Sequence, residues 1–209
     1  MELEGVVAVL GGFPALAGAD LTVTRGEVLL LQGPNGAGKT SLLRVCAGLL
    51  PIERGNGRVL GMDITSERER VRSRVGLLGH TNGLYLDLTV AQNIRFWAST
   101  VGATDAEVAN AMSRMRLDGR LSDVKAEKLS AGQRRRTALA SLIVRRAELW
   151  LLDEPHAGLD TAGRDEIDAV LRDAVSSGAT VIVSSHEHER AQALATRIVT
   201  VDGGTVTGR

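Results

Sequence analysis

The run Gly33-Pro34-Asn35-Gly36-Ala37-Gly38-Lys39-Thr40 satisfies the phosphate-loop pattern G-x-x-x-x-G-K-[ST] at every fixed position, and no other stretch constrains the chain as much. Such a loop belongs between a buried strand and the start of a helix. The apolar Val28-Leu29-Leu30-Leu31 before it reads as that strand, and Ser41-Leu42-Leu43-Arg44-Val45-Cys46-Ala47 after it continues as a helix. The glycines let the backbone curl so that N–H groups converge, the helix N-terminus adds partial positive charge, and Lys39 is placed to reach the β- and γ-phosphates of a nucleotide. Thr40 then faces a magnesium ion.

Composition narrows the alternatives. A chain of 209 residues with 44% hydrophobic content can bury one core, with room for an inserted subdomain but hardly for two full domains. Its 25 basic and 25 acidic residues cancel, so no global field draws it toward nucleic acid or anionic lipid. The single cysteine, Cys46, excludes an intrachain disulfide, fits a reducing cytosol and reads as a small buried apolar residue. Neither a membrane-spanning run nor a secretory leader is expected, since Met1-Glu2-Leu3-Glu4 lacks the basic start and apolar core of a signal peptide.

Along the chain, Val6-Val7-Ala8-Val9 and Leu21-Thr22-Val23-Thr24 predict a small sheet, and Arg58-Val59-Leu60 a short strand after a turn at Gly55-Asn56-Gly57. Val75-Gly76-Leu77-Leu78 reads as a buried strand. Residues from about 84 to 146 are mainly helical by pattern, with Thr89 capping a helix through Trp97 and Thr104 one through Met115. Beyond them, Leu149-Trp150-Leu151-Leu152 and Thr180-Val181-Ile182-Val183-Ser184 are continuous apolar strands flanking a helix at 161 to 176, which predicts a βαβ unit in a parallel sheet.

Two further motifs carry chemistry. The strand at 149 to 152 ends in Asp153-Glu154-Pro155, and open α/β sheets bind ligands at the carboxyl ends of their strands. Asp153 there can hold magnesium, directly or through water, and Glu154 can polarise the water that attacks a γ-phosphate. In Leu129-Ser130-Ala131-Gly132-Gln133, Ser130 is a natural N-cap, and the small residues after it leave N–H groups open at the positive end of a helix. That end can grip a phosphate, but not easily the one Lys39 holds. The basic Arg134-Arg135-Arg136 that follows reads as a solvated helix face rather than a nucleic-acid contact.

The loop at 33 to 40, the run at 129 to 133, Asp153-Glu154, Gly158-Leu159-Asp160 and His186 occur in the order and spacing of ATP-binding cassette ATPases, which the chain resembles over nearly its whole length. The resemblance implies a single cassette domain over 1 to 209: a phosphate-loop NTPase of α/β class, with a mostly parallel core sheet, a small antiparallel lobe and an inserted helical subdomain. It implies ATP and Mg2+ as cofactors, with Gly33 to Thr40 and Ser41 binding phosphates, Thr40 and Asp153 supporting the metal, Glu154 as general base and His186 as the switch histidine at the γ-phosphate. Ser130, Gly132 and Gln133 are then implied to close over ATP held by a second copy in a head-to-tail homodimer, with Asp160 linking the two sites.

Two positions depart from that family. His80 stands where a glutamine usually senses metal and membrane partner, and Leu10 where an aromatic usually stacks on adenine, so Phe13 is the substitute candidate. His80, the short chain, the run from Leu88 to Trp97 and the alanine in the 129 to 133 run resemble the haem exporter ATPases of cytochrome c maturation. That likeness implies a peripheral subunit on the cytoplasmic face of the cell membrane, driving a separate integral permease, with His80 to about Trp97 as the contact. No direct haem contact is expected, since the chain contains no Cys-x-x-Cys-His, and with the charge balanced no nucleic acid is expected either. The alternatives left open are an exporter or importer of another solute and a soluble cassette ATPase outside transport.

Overall fold

Alternation along each central strand decides the layering. In the computed structural model, which describes residues 1–208, β1 (Glu2–Leu10) and β2 (Phe13–Thr22) form an antiparallel hairpin and β3 (Val28–Gln32) enters a larger sheet. The loop helix α1 (Lys39–Cys46) follows, then β4 (Arg54–Val59), β5 (Met62–Asp63), α2 (Arg68–Arg74) and β6 (Val75–Leu78). Next come α3 (Val90–Thr100), α4 (Asp105–Arg114) and α5 (Ala131–Val144). The chain continues through β7 (Leu149–Asp153), α6 (Thr161–Ser176), β8 (Thr180–Ser184), α7 (His188–Leu194), β9 (Arg197–Asp202) and β10 (Thr205–Thr207).

The larger sheet has strand order β10-β9-β3-β8-β7-β6 and is parallel except for its edge strand β10, while β2-β1-β4-β5 make the antiparallel lobe. The expected α/β class and mostly parallel core are therefore observed. Leu29, Leu31, Leu149, Leu151 and Ile182 point to one face, where α1 and the antiparallel lobe cover them. Val28, Leu30, Trp150, Leu152 and Val183 point to the other, against Ile94, Leu139 and Ile167 of the helices. Strands buried on both faces need no polar alternation, and each fully buried leucine contributes about 2 kcal/mol.

The three helices between β6 and β7 start where side chains satisfy their first N–H groups. Thr89 with Gln92, Thr104 with Glu107, and Ser130 with Gln133 each form a reciprocal capping box. Helix α3 extends three residues past the expected end at Trp97, to Thr100. The predicted turn at Gly55-Asn56-Gly57 is instead part of β4, because β1 offers it an edge: Leu3 pairs with Gly57 and Glu4 with Asn56. Gly57 also has a packing role there, since a Cβ would lie 2.5 Å from Ile64. Among the described residues, no helix is long and apolar enough to cross a membrane.

Candidate nucleotide site

Parallel register brings separate segments to one edge of the core sheet. The phosphate loop leaves β3, Asp153 ends β7 directly opposite Ser184 of β8, and His186 follows β8. Around them lies a cavity of about 470 Å³ lined by 35 to 41, His80, Asp153, Glu154 and His186, with Leu10 and Phe13 at its rim. The loop needs its glycines: Gly33 has φ 141°, with a Cβ position 2.0 Å from Val201 O, and Gly38 has φ 109°, with one 2.7 Å from Ala15 O. The Lys39 ammonium folds back onto its own loop, donating to Gly33 O at 2.7 Å and Pro34 O at 2.9 Å.

Thr40 Oγ1 donates to Asp153 Oδ2 at 2.7 Å, and Ser184 Oγ donates to Asp153 Oδ1 at 2.5 Å. A hydroxyl and a buried carboxylate are hard oxygen donors, so this pair fits Mg2+. No cluster of three or more His, Cys, Asp or Glu with metal-binding placement occurs among the described residues.

Glu154 sits in the left-handed region at φ 52°, a costly conformation for a residue with a side chain. Its N–H donates to Ser184 O at 3.0 Å, and its Oε2 accepts from the His186 N–H at 3.1 Å. The His186 Nε2 is 3.6 Å from Glu154 Oε1, beyond hydrogen-bond reach, and that oxygen is buried with no partner. Glu154 lines the cavity, and a carboxylate at this edge with spare acceptor capacity is suited to take a proton from water.

Ser130, Gly132 and Gln133 do not line this cavity. Ser130 Oγ accepts from the Gln133 N–H, while Gln133 Oε1 accepts from the Ser130 N–H, which closes the capping box at the start of α5. Asp160 caps α6 by accepting from the Gly163 N–H at 2.9 Å. Cys46 is fully buried, and burial pushes its thiol up to about 12.

The basic run at 134 to 136 is not a solvated face. Arg135 is 4% exposed and donates to carbonyls of the strand end at 153 to 155, while Arg134 and Arg136 are half-buried. Burial lowers the Arg135 pKa, opposed by the charges of Asp153 and Glu154. Helical spacing did contain a signal, because Arg135 shares the stripe of Leu139 and Leu142, both core residues. Ser184 was also missed, although a polar residue ending an apolar strand beside Asp153 marks the same edge.

A second cavity of about 520 Å³ is lined by residues of α1, β6, α3 and α5, with Leu49, Leu77, Leu84 and Trp97 beside Arg44, Arg72 and Arg145. His80, Thr40 and Asp153 border both cavities.

The family model described as ABC transporter matches residues 16–157. The cytochrome c biogenesis ATP-binding export protein CcmA of Bradyrhizobium diazoefficiens is 38% identical over 188 residues, covering 89% of this chain and 92% of that protein. The protein of the same name from Xanthomonas axonopodis is 39% identical over 191 residues, covering 90% and 87%. In fold, a dimeric ATP-binding cassette solved in a post-hydrolysis state with ADP and phosphate superposes with a TM-score of 0.90 at 23% identity, covering 98% of this chain and 95% of its own.

Proposed function

This chain belongs to the ABC transporter family, and from that premise we propose that it hydrolyses ATP to power a separate membrane permease in the export or release of haem during cytochrome c maturation. The observation that carries the reading is the convergence of the phosphate loop, the Thr40–Asp153 pair and Glu154 on one cavity. The likeness to the CcmA proteins supports the cargo class.

In this mechanism residues 33 to 41 cradle the phosphates, and Lys39 exchanges its two carbonyl partners for phosphate oxygens. Thr40 and Asp153 hold Mg2+, which when bound neutralises charge on the phosphates. Glu154 accepts a proton from the attacking water, and His186 orients Glu154 while facing the γ-phosphate. The whole chain acts as one ATPase domain with its helical insertion at about 84 to 146. Ser130, Gly132 and Gln133 close on the nucleotide of a second copy, so ATP binding shuts a homodimer and product release after hydrolysis reopens it. His80 and the segment to Trp97 transmit that motion to the permease at the cytoplasmic face of the membrane, and haem remains with the partner.

Replacing Glu154 by Gln keeps the shape and removes the base, so turnover falls by about 100-fold or more while ATP binding persists. Gel filtration with ATP then shows an accumulated dimer, and cells carrying only this variant lack mature c-type cytochromes. Near-normal ATP turnover in the purified variant removes Glu154 from the mechanism; normal cytochromes alongside dead turnover remove the haem-export role.

A further inference from the structure

His156 follows the strand end at 153 to 155 and is only 2% exposed, yet it lies outside the lining of the nucleotide cavity. Its Nε2 is 2.8 Å from Oδ1 of Asp168 in α6, which is itself buried. A carboxylate only accepts, so Nε2 carries the proton and donates it, and Nδ1 is left buried without a partner. The second Asp168 oxygen accepts from Nη1 of Arg190 in α7, which also donates to Asp165 Oδ1 at 2.8 Å. Arg190 Nε in turn lies 4.0 Å from Oε2 of Glu187, the residue after His186, and Arg164 Nη1 holds Glu187 Oε1 at 3.1 Å. Polar groups this deep are tolerated when each meets the next.

These contacts close a circuit around the hydrolytic carboxylate. At the cavity, Glu154 Oε2 accepts from the His186 N–H at 3.1 Å. Outside the cavity lining, His156, Asp168, Arg190 and Glu187 join the same two turns, one after β7 and one after β8. Glu154 O accepts from the Ala157 N–H at 3.1 Å and His156 O from the Leu159 N–H at 3.3 Å, so His156 sits inside the turn that carries Glu154. A left-handed φ of 52° at Glu154 persists only where the surroundings over-determine it, and a buried anchor two residues along helps to do so.

We propose that His156 is a positioning residue for hydrolysis: acting through Asp168 and Arg190 on Glu187, it fixes the spacing between the Glu154 carboxylate and the His186 segment. Losing its Nε2–H donor frees Asp168 to follow Arg190 alone, and the two turns are then joined only by the single Glu154–His186 hydrogen bond at the cavity. This inference rests on reading Glu154 as the general base.

The test uses the full chain, with steady-state Mg-ATPase and equilibrium ATP binding measured on the same preparations, so that kcat is counted per nucleotide site. His156→Leu keeps an apolar bulk and deletes the donor, so kcat falls about three- to tenfold with ATP affinity unchanged. His156→Gln offers an amide donor in place of Nε2 and returns kcat toward the parent value. Arg190→Ala, nearer the surface, lowers kcat about threefold, and the double variant His156→Leu/Arg190→Ala is no slower than His156→Leu alone, because both cut one connection. If His156→Leu does not fold, Arg190→Ala and its conservative counterpart Arg190→Lys decide the matter: loss of kcat in the first and recovery in the second support the role, and a parent-like kcat in the first overturns it. A parent-like kcat in His156→Leu, a loss that His156→Gln shares, a parallel loss of affinity, or losses that multiply in the double variant overturn it equally. Glu154→Gln run beside them separates the premises: if it turns over normally the base assignment fails, and if it is dead while His156→Leu is parent-like only the positioning role fails.

Discussion

Phe13 opens β2 at the rim of the nucleotide cavity with 78% of its surface exposed, although it is one of only two phenylalanines in the chain. It pairs with Leu10 across the Gly11-Gly12 turn, and an exposed ring held on a hairpin is a platform for a flat base. The proposed adenine contact leads to an expected outcome: Phe13→Ala weakens ATP binding about fivefold, the equivalent of roughly 1 kcal/mol of stacking, and leaves kcat near the parent value. Isothermal titration with ATP and with inorganic triphosphate checks it, because only the nucleotide should lose affinity. The phosphate-loop residues were legible because their spacing encodes a backbone shape. Arg135 was misread because a triplet of arginines looks like surface charge until helix packing turns the middle one inward.

Helix α4 shows how charge is used at the scale of an element. Glu107 accepts from the Thr104 N–H, from the Thr104 hydroxyl and from Arg146, and these hydrogen bonds hold its pKa down at about 2 against an ordinary 4.5. A carboxylate with a depressed folded-state pKa contributes stability that is fully present above 4.5 and is lost as pH falls toward 2. Glu107→Gln keeps a residue able to complete the capping box but removes the charge. Thermal melts should therefore show the parent more stable than Glu107→Gln at pH 6, with the gap closing as pH drops from 4.5 toward 2. A gap independent of pH would show that the charge contributes nothing. The caps at Thr89, Thr104 and Ser130 were legible because each bond is local, made within three residues. The membership of Gly55, Asn56 and Gly57 in β4 was not, because their partners lie some fifty residues earlier, in β1.

For the molecule as a whole, Ser130, Gly132 and Gln133 stand off the cavity that holds the phosphate loop, which supports a site shared between two copies. Mixing tests that arrangement. Lys39→Ala and Ser130→Arg chains should each be nearly inactive alone, yet regain activity together, because a mixed dimer keeps one composite site with both halves intact. Two inactive variants that stay inactive at every mixing ratio, or a monomer active at dilution, would count against sharing. The sequence by itself determined the phosphate loop, the acidic strand end, the helix caps and the α/β class, since each depends on spacing along a single segment or on burial of both strand faces. Tertiary structure alone decided that Ser184 meets Asp153, that His80 borders two cavities and that Arg135 is buried between them. Those relations depend on which strands become neighbours and how a helix rotates against a sheet, and local spacing does not specify either.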